Sequence, residues 1–366
     1  MGSWNHLFEV PPGEVVSVKI IDTTSRIGNS SVDFLMRPPM EGFLTMPIHP
    51  SWSFLIEHPS GSRILFDLGI SVDWREYAPI VSNRISTNGW QITSTRGVAD
   101  IIEDAGTPRE SINVIIWSHH HWDHVGDPST FPPRTDLVVG PGFVKEYLPG
   151  WPSNQNSLLR DTDFEGRKVR EIDFNDGLLL GQLKAHDFFG DGSFYLLDTP
   201  GHSVGHLGGL ARTTKAPDTF IFMGGDLCHH GGEVRPSKYN PLPGGMAVES
   251  LLDVPRQVCP GALLEDLQKN RLREINQSLF DPKLGTDIPE AIRTISKVQE
   301  ADANDHVLFI YAHDTDLLGG IVDLFPLPAN DWKKKGWREK LFWHFLQDFT
   351  SSLKLIAQDK DQVRGS

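Results

Sequence analysis

Short apolar, β-branched runs recur along the chain, separated by polar stretches rich in Pro, Gly and Ser. Residues 15–21 (V-V-S-V-K-I-I), 52–57 (W-S-F-L-I-E) and 63–68 (R-I-L-F-D-L) read as strands, the last after a Pro59-Ser60-Gly61 turn. Short turns with no helix between them make this part of a sheet antiparallel or mixed. The intervening 38–51 carries four prolines and reads as an irregular loop. Val98, Ile101, Ile102 and Ala105 share one helical face, which Gly106 and Pro108 close. An apolar strand at 112–117 (I-N-V-I-I-W) follows, and this strand–helix–strand order marks a layered α/β fold.

Further along, 127–165 shows little periodicity beyond a short turn near Phe143–Tyr147. Strands are predicted at 168–174, 193–198, 218–223 and 306–311, and helices at 261–275 and 289–300. Residues 227–260 read as loop. The loops 127–165 and 227–260 are too long for simple connectors, so they are expected to wall a pocket. From Trp332 to about Ala357 the pattern predicts one long amphipathic helix, with an apolar stripe of Phe342, Phe345, Leu346, Phe349 and Leu353. Three lysines, Lys333–Lys335, precede it; such a helix suits a membrane surface, but packing on the domain is the expected use. With no repeat or clear linker, residues 1–366 are expected to form a single domain, with insertions near 127–165 and 227–300 and the C-terminal helix at 332–357.

Composition narrows the partners. A net charge of −14 argues against nucleic acid or an anionic membrane surface. No apolar run reaches the ~20 residues of a membrane helix. The first residues lack the basic-then-apolar pattern of a secretory signal, and two cysteines, Cys228 and Cys259, make no disulfide framework. A reduced, cytoplasmic setting is the simplest expectation.

The chemistry concentrates at Trp117–Asp127, W-S-H-H-H-W-D-H-V-G-D, where His119, His121, Asp123 and His124 spell H-x-H-x-D-H. Three imidazoles and a carboxylate are good ligands for zinc or a similar divalent ion. They follow directly on the 112–117 strand, so a rigid element holds them. Three further strand ends finish in ligand-type residues: His202 in L-D-T-P-G-H-S-V-G-H, Asp226 in F-I-F-M-G-G-D, and His313 in L-F-I-Y-A-H-D. One such coincidence would mean little; four in this order point to a metal centre.

This set of motifs, spread over residues 15 to about 315, resembles the metallo-β-lactamase superfamily. The resemblance implies an αββα sandwich, with two mixed β-sheets face to face and helices outside. It also implies two divalent ions, zinc expected, with manganese, iron or cobalt as alternatives. One ion would fall to His119, His121 and His202, the other to Asp123, His124 and His313, with Asp226 bridging. Phe66–Gly69 (F-D-L-G) resembles the family's D-x-G strand end and makes Asp67 an orienter of a ligand, and His206 is expected to brace the His202 loop.

Within the superfamily, T-P-G-H-S-V-G-H is most like lactonases of the acyl-homoserine-lactone type. The implied activity is hydrolysis of a small carbonyl substrate, a lactone first, with a thioester or a lactam as alternatives, by a monomer or homodimer. Asp123 has a second implied role as proton shuttle. Where such lactonases carry a tyrosine three residues past the bridging Asp, this chain has His229, a candidate donor to the substrate carbonyl. His49 and Trp52 on the Pro-rich loop, and Arg235 for a substrate carboxylate, are candidate substrate contacts. His120, between two ligands, should turn away from them, and Cys228 reads as a buried structural thiol. A single-iron oxygenase of the same fold and a non-catalytic metal scaffold are the competing classes, and metal analysis separates them.

Overall fold

The computed structural model describes residues 4–243 and 260–365. Twelve strands form two six-stranded sheets, each with its strands side by side in chain order. The first contains β1 (Ser17–Asp22), β2 (Trp52–Glu57), β3 (Arg63–Phe66), β4 (Val114–Ile116), β5 (Asp136–Val139) and β6 (Val169–Glu171). β1 to β3 run antiparallel, while β3 to β6 run parallel, with Phe66 beside Ile116 and Ile116 beside Val138. The second contains β7 (Leu179–Leu180), β8 (Leu183–Asp187), β9 (Phe194–Asp198), β10 (Leu207–Thr214), β11 (Thr219–Met223) and β12 (Val307–Ile310). It is antiparallel up to the parallel pair β11–β12.

The period-2 geometry of a strand sends neighbouring side chains to opposite faces, and here both faces are buried. Val18, Phe54, Phe66 and Ile116 from the first sheet meet Phe194, Ala211, Ile221 and Ile310 from the second in one inter-sheet core. Leu55, Leu65, Ile115 and Leu137 point the other way, under the helices Pro79–Thr87 and Val98–Asp104. Leu197, Leu210, Phe222 and Phe309 do the same beneath the helix Ile288–Asp302. The result is the expected layering, with helices outside two facing mixed sheets. A fourth core lies apart, where Val32, Leu35, Met40 and Phe43 pack on Leu263, Phe280, Phe345 and Phe349.

Several local expectations need correction. Residues 127–165 include β5, whose four residues D-L-V-V are hidden between Pro and Gly flanks. β10, the longest strand among the described residues, is absent from the expected strands; the side chains of Phe66, Phe194 and Phe222 close over its Gly208-Gly209 pair. The tail is not one helix: Gly336 takes a left-handed conformation (φ 66°), a helix Trp337–Leu341 follows, then a 3-10 turn His344–Phe349 and a helix Thr350–Gly365. Its apolar stripe survives the breaks, because Phe345, Leu346, Phe349 and Leu353 all enter the fourth core. No helix among the described residues is long and apolar enough to cross a membrane. Cys228 is buried with a free thiol, and Cys259 lies outside the described residues.

Gly140, just past β5, lies so close to the His202 loop that an added Cβ would sit 2.1 Å from the Gly205 carbonyl oxygen. Gly140→Ala is therefore expected to lower stability by about 2–3 kcal/mol, read by chemical denaturation. A loss below about 0.5 kcal/mol would show that the two loops move apart freely.

Candidate metal centre

Four strand ends converge on one point between the sheets. β4 is followed by Trp117-Ser118, after which His119 is fully buried and the short helix Trp122–Val125 presents Asp123 and His124. His202 follows β9, Asp226 follows β11 and His313 follows β12. Their ligand-type atoms form two groups, His119–His121–His202–Asp226 and Asp123–His124–Asp226–His313, and within each group all atoms lie within 4.8 Å of one another.

The Asp226 carboxylate is shared between them. Its Oδ1 lies 3.0 Å from His124 Nε2 and 3.1 Å from His313 Nε2. Its Oδ2 lies 3.5 Å from His202 Nε2 and 3.6 Å from His119 Nε2. Asp123 Oδ2 stands 3.5 Å from His313 Nε2, and the ring nitrogens His202 Nε2 and His121 Nδ1 face each other at 2.9 Å.

Three of the rings are aimed by a bond on the far side, which fixes the tautomer and frees the other nitrogen. His124 Nδ1–H donates to Asp67 Oδ2 at 2.9 Å, and His313 Nδ1–H donates to the Pro50 carbonyl at 2.8 Å. His119 Nδ1 meets Ser118 Oγ at 3.0 Å, and Ser118 donates its amide and hydroxyl to Asp67 at 2.6 and 2.7 Å. Asp67 reaches these partners from a left-handed backbone (φ 58°), a conformation held by its amide bond to the Ile116 carbonyl. His206 sits behind Asp226: its Nδ1–H donates to the Thr199 carbonyl at 3.0 Å and its Nε2 accepts the Asp226 amide at 3.0 Å.

The donor set fits a divalent metal pair. His119 Nε2, His124 Nε2 and Asp226 Oδ1 are buried and have no hydrogen-bond partner, a costly state unless something cationic occupies the space they face. Burial holds His119 and His202 well below the usual histidine range, and holds His121 at about 4 and His206 at about 3. Burial also opposes charge on His124 and His313, but the surrounding carboxylates, Asp226 first and then Asp123, together outweigh it and raise both. Those two imidazoles in turn pull Asp226 well below the carboxylate range, against its burial.

The centre forms the floor of a cleft of about 680 Å³, open mouth included. His49 and His229 line it. His229 Nε2 is 3.5 Å from Asp226 Oδ2, and the Glu233 carboxylate anchors that loop by accepting the His229 amide at 2.6 Å. Trp52 and Arg235 do not reach the cleft. The Trp52 indole is buried between the sheets and donates to the Asp314 carbonyl at 2.8 Å, because the alternation of β2 turns it inward. Arg235 is spent on Asp302, at 2.9 and 2.5 Å, with its guanidinium stacked on Phe342. His120 does turn away, onto the Tyr147 ring 4.1 Å distant, but it is buried rather than exposed.

The walls also differ from expectation. No described residue of 127–165 lines the cleft; Phe34, Met46, Arg84, Trp90 and Trp122 do. Trp122 sits inside the His motif and was in plain sight there, whereas Phe34, Arg84 and Trp90 belong to no motif and only the fold brings them together.

Asp67→Asn removes the acceptor that aims His124 and is expected to weaken metal binding about 10- to 100-fold, measured by competition with a chromophoric chelator. Unchanged affinity would separate Asp67 from the centre. In the metal-free protein, six imidazoles (His49, His119, His120, His121, His202, His206) have lowered pKa values against three raised, His124, His313 and His344. Between about pH 6.5, where unfolded histidines titrate, and about 4, the unfolded chain therefore binds more protons. Metal-free stability should fall as the pH is lowered through that window; denaturation curves showing a flat or rising profile would contradict it.

Comparison with known proteins agrees with this geometry. Residues 46–213 match the family described as "Metallo-beta-lactamase superfamily". The chain is 43% identical to "Gamma-lactamase FDB1" of Fusarium pseudograminearum (strain CS3096), over 92% of its own length and 83% of that protein. It is 42% identical to "Metallo-hydrolase mfmC" of Annulohypoxylon moriforme, over 92% and 88%. Among solved structures, an N-acyl homoserine lactone hydrolase with the product N-hexanoyl-L-homoserine at its metal centre shares the fold, with a TM-score of 0.55, 16% identity, and coverage of 86% of this chain and 100% of that one. By fold, by relatives and by the placing of its histidines, this chain belongs to the metallo-β-lactamase superfamily, a metal-dependent hydrolase.

Proposed function

We propose that the chain opens a small cyclic carbonyl compound, an amide or ester ring, at a pair of divalent ions, with zinc the expected species. His119, His121 and His202 would hold one ion, and Asp123, His124 and His313 the other, with Asp226 giving one carboxylate oxygen to each. The observation that carries this reading is that divided carboxylate at the floor of an open cleft. When bound, such a pair acidifies water and polarises a carbonyl.

The chain's own groups supply the rest. Asp123 lines the cleft, where its carboxylate takes a proton from the attacking water and returns it to the ring heteroatom. His229, on the open side of the centre, faces the substrate carbonyl and the leaving atom. An amide nitrogen leaves only once protonated, so these groups matter more for a lactam than for a lactone. Phe34 meets Trp90 edge-on at 5.6 Å, and Trp90 stacks on Trp122 at 5.7 Å, an aromatic wall suited to a planar ring. The relative named a gamma-lactamase favours the cyclic amide over the lactone expected from the motifs alone.

Purified protein should contain about two zinc-class ions per chain. A panel of five-membered lactams, lactones and acyl thioesters tests the reaction, with Asp123→Ala expected to lower kcat about 10²- to 10⁴-fold. One iron per chain, or no turnover across the panel, overturns the reading.

A further inference from the structure

Arg84 is the only lysine or arginine among the described residues lining the cleft. Its helix, Pro79–Thr87, is anchored by Val81 and Ile85, both buried in the outer core of the first sheet, so the backbone beneath the side chain is fixed. Its guanidinium makes no ion pair, hydrogen bond or ring contact among the described residues. Several other arginines are tied down: Arg109, Arg160, Arg212 and Arg273 each hold a carboxylate, and Arg235 is occupied by Asp302. The protein carries 48 acidic against 34 basic residues, so its field repels anions unless a local cation receives them.

We propose that the substrate carries an anionic group, a carboxylate or its like, which Arg84 binds while the ring lies along Trp90 and Trp122. This rests on the hydrolase reading above and deepens it. The planar guanidinium presents paired donors that match a carboxylate, an arrangement a lysine copies poorly. With the acid held at the Arg84 side of the cleft, the ring spans the aromatic wall and its carbonyl faces the floor formed by Asp123, Asp226 and His229. The same contact discriminates against neutral rings, which gain nothing from it.

The test compares benzo-fused five-membered lactams and lactones, each with and without a carboxylate on the benzo ring, in the metal-loaded wild type, Arg84→Ala, Arg84→Lys and Arg84→Glu. The preference in kcat/KM for the acid over its neutral analogue should fall about ten- to hundred-fold in Arg84→Ala, carried by KM. Arg84→Lys should restore part of it, and Arg84→Glu should reverse it. Calorimetric binding of 2-naphthoate and 2-naphthamide to metal-loaded wild type and Arg84→Ala gives a readout independent of turnover. Equal binding of the two ligands, or naphthoate affinity unmoved by Arg84→Ala because the metals alone hold it, overturns the proposal. If no ring compound is hydrolysed, the hydrolase reading falls, while the naphthoate pair still decides the role of Arg84.

Discussion

One buried carboxylate organises this molecule. Asp226 is 3% exposed and faces five imidazole nitrogens within 3.6 Å, two on Oδ1 and three on Oδ2. A carboxylate in that position is costly without a cation, and the surrounding rings show how the cost is met. Burial keeps His119, His121 and His202 neutral, the protonation state in which imidazole binds a metal. His124 and His313 are held towards the charged form by nearby carboxylates, Asp226 first, so in the metal-free protein they supply positive charge beside it.

The support for that arrangement comes from both sheets. Asp67 and Ser118 belong to the ends of the first sheet's strands, while His206 and Asp226 belong to the second. Their bonds do not touch the facing ring nitrogens, but they decide where those nitrogens point. The parallel pairing of β3 with β4 brings Asp67 beside the His motif 51 positions later, a contact no short-range pattern encodes.

How much was legible follows from what each residue depends on. The ligand-type residues could be read because each ends an apolar strand, and a strand of three to eight residues leaves a strong local signature. Asp67 and His206 could be read only through the family resemblance. Trp52 was misplaced because its neighbours on the loop flank the site, whereas strand alternation decides the side chain itself. Arg235 was misplaced because a cation near the bridging Asp looked available; its partner Asp302 is 67 residues away and invisible locally. β10 was missed because glycines that let aromatic rings pack over a strand resemble glycines that make a turn. The aromatic wall was missed because Phe34, Trp90 and Trp122 come from three separate segments.

The fourth core gives the molecule a division of labour. Leu35 and Met46 face the cleft from a segment whose apolar neighbours rest on Leu263, Phe280, Phe349 and Leu353, near the other end of the chain. None of those supporting residues belongs to the strand ends that carry the ligand-type side chains. Part of the cleft wall thus rests on a core other than the one beneath the ligand-type strand ends. Changes at those supporting positions can reshape the cleft while the strand ends keep their places, and a lineage built this way can acquire new substrates without reinventing its chemistry.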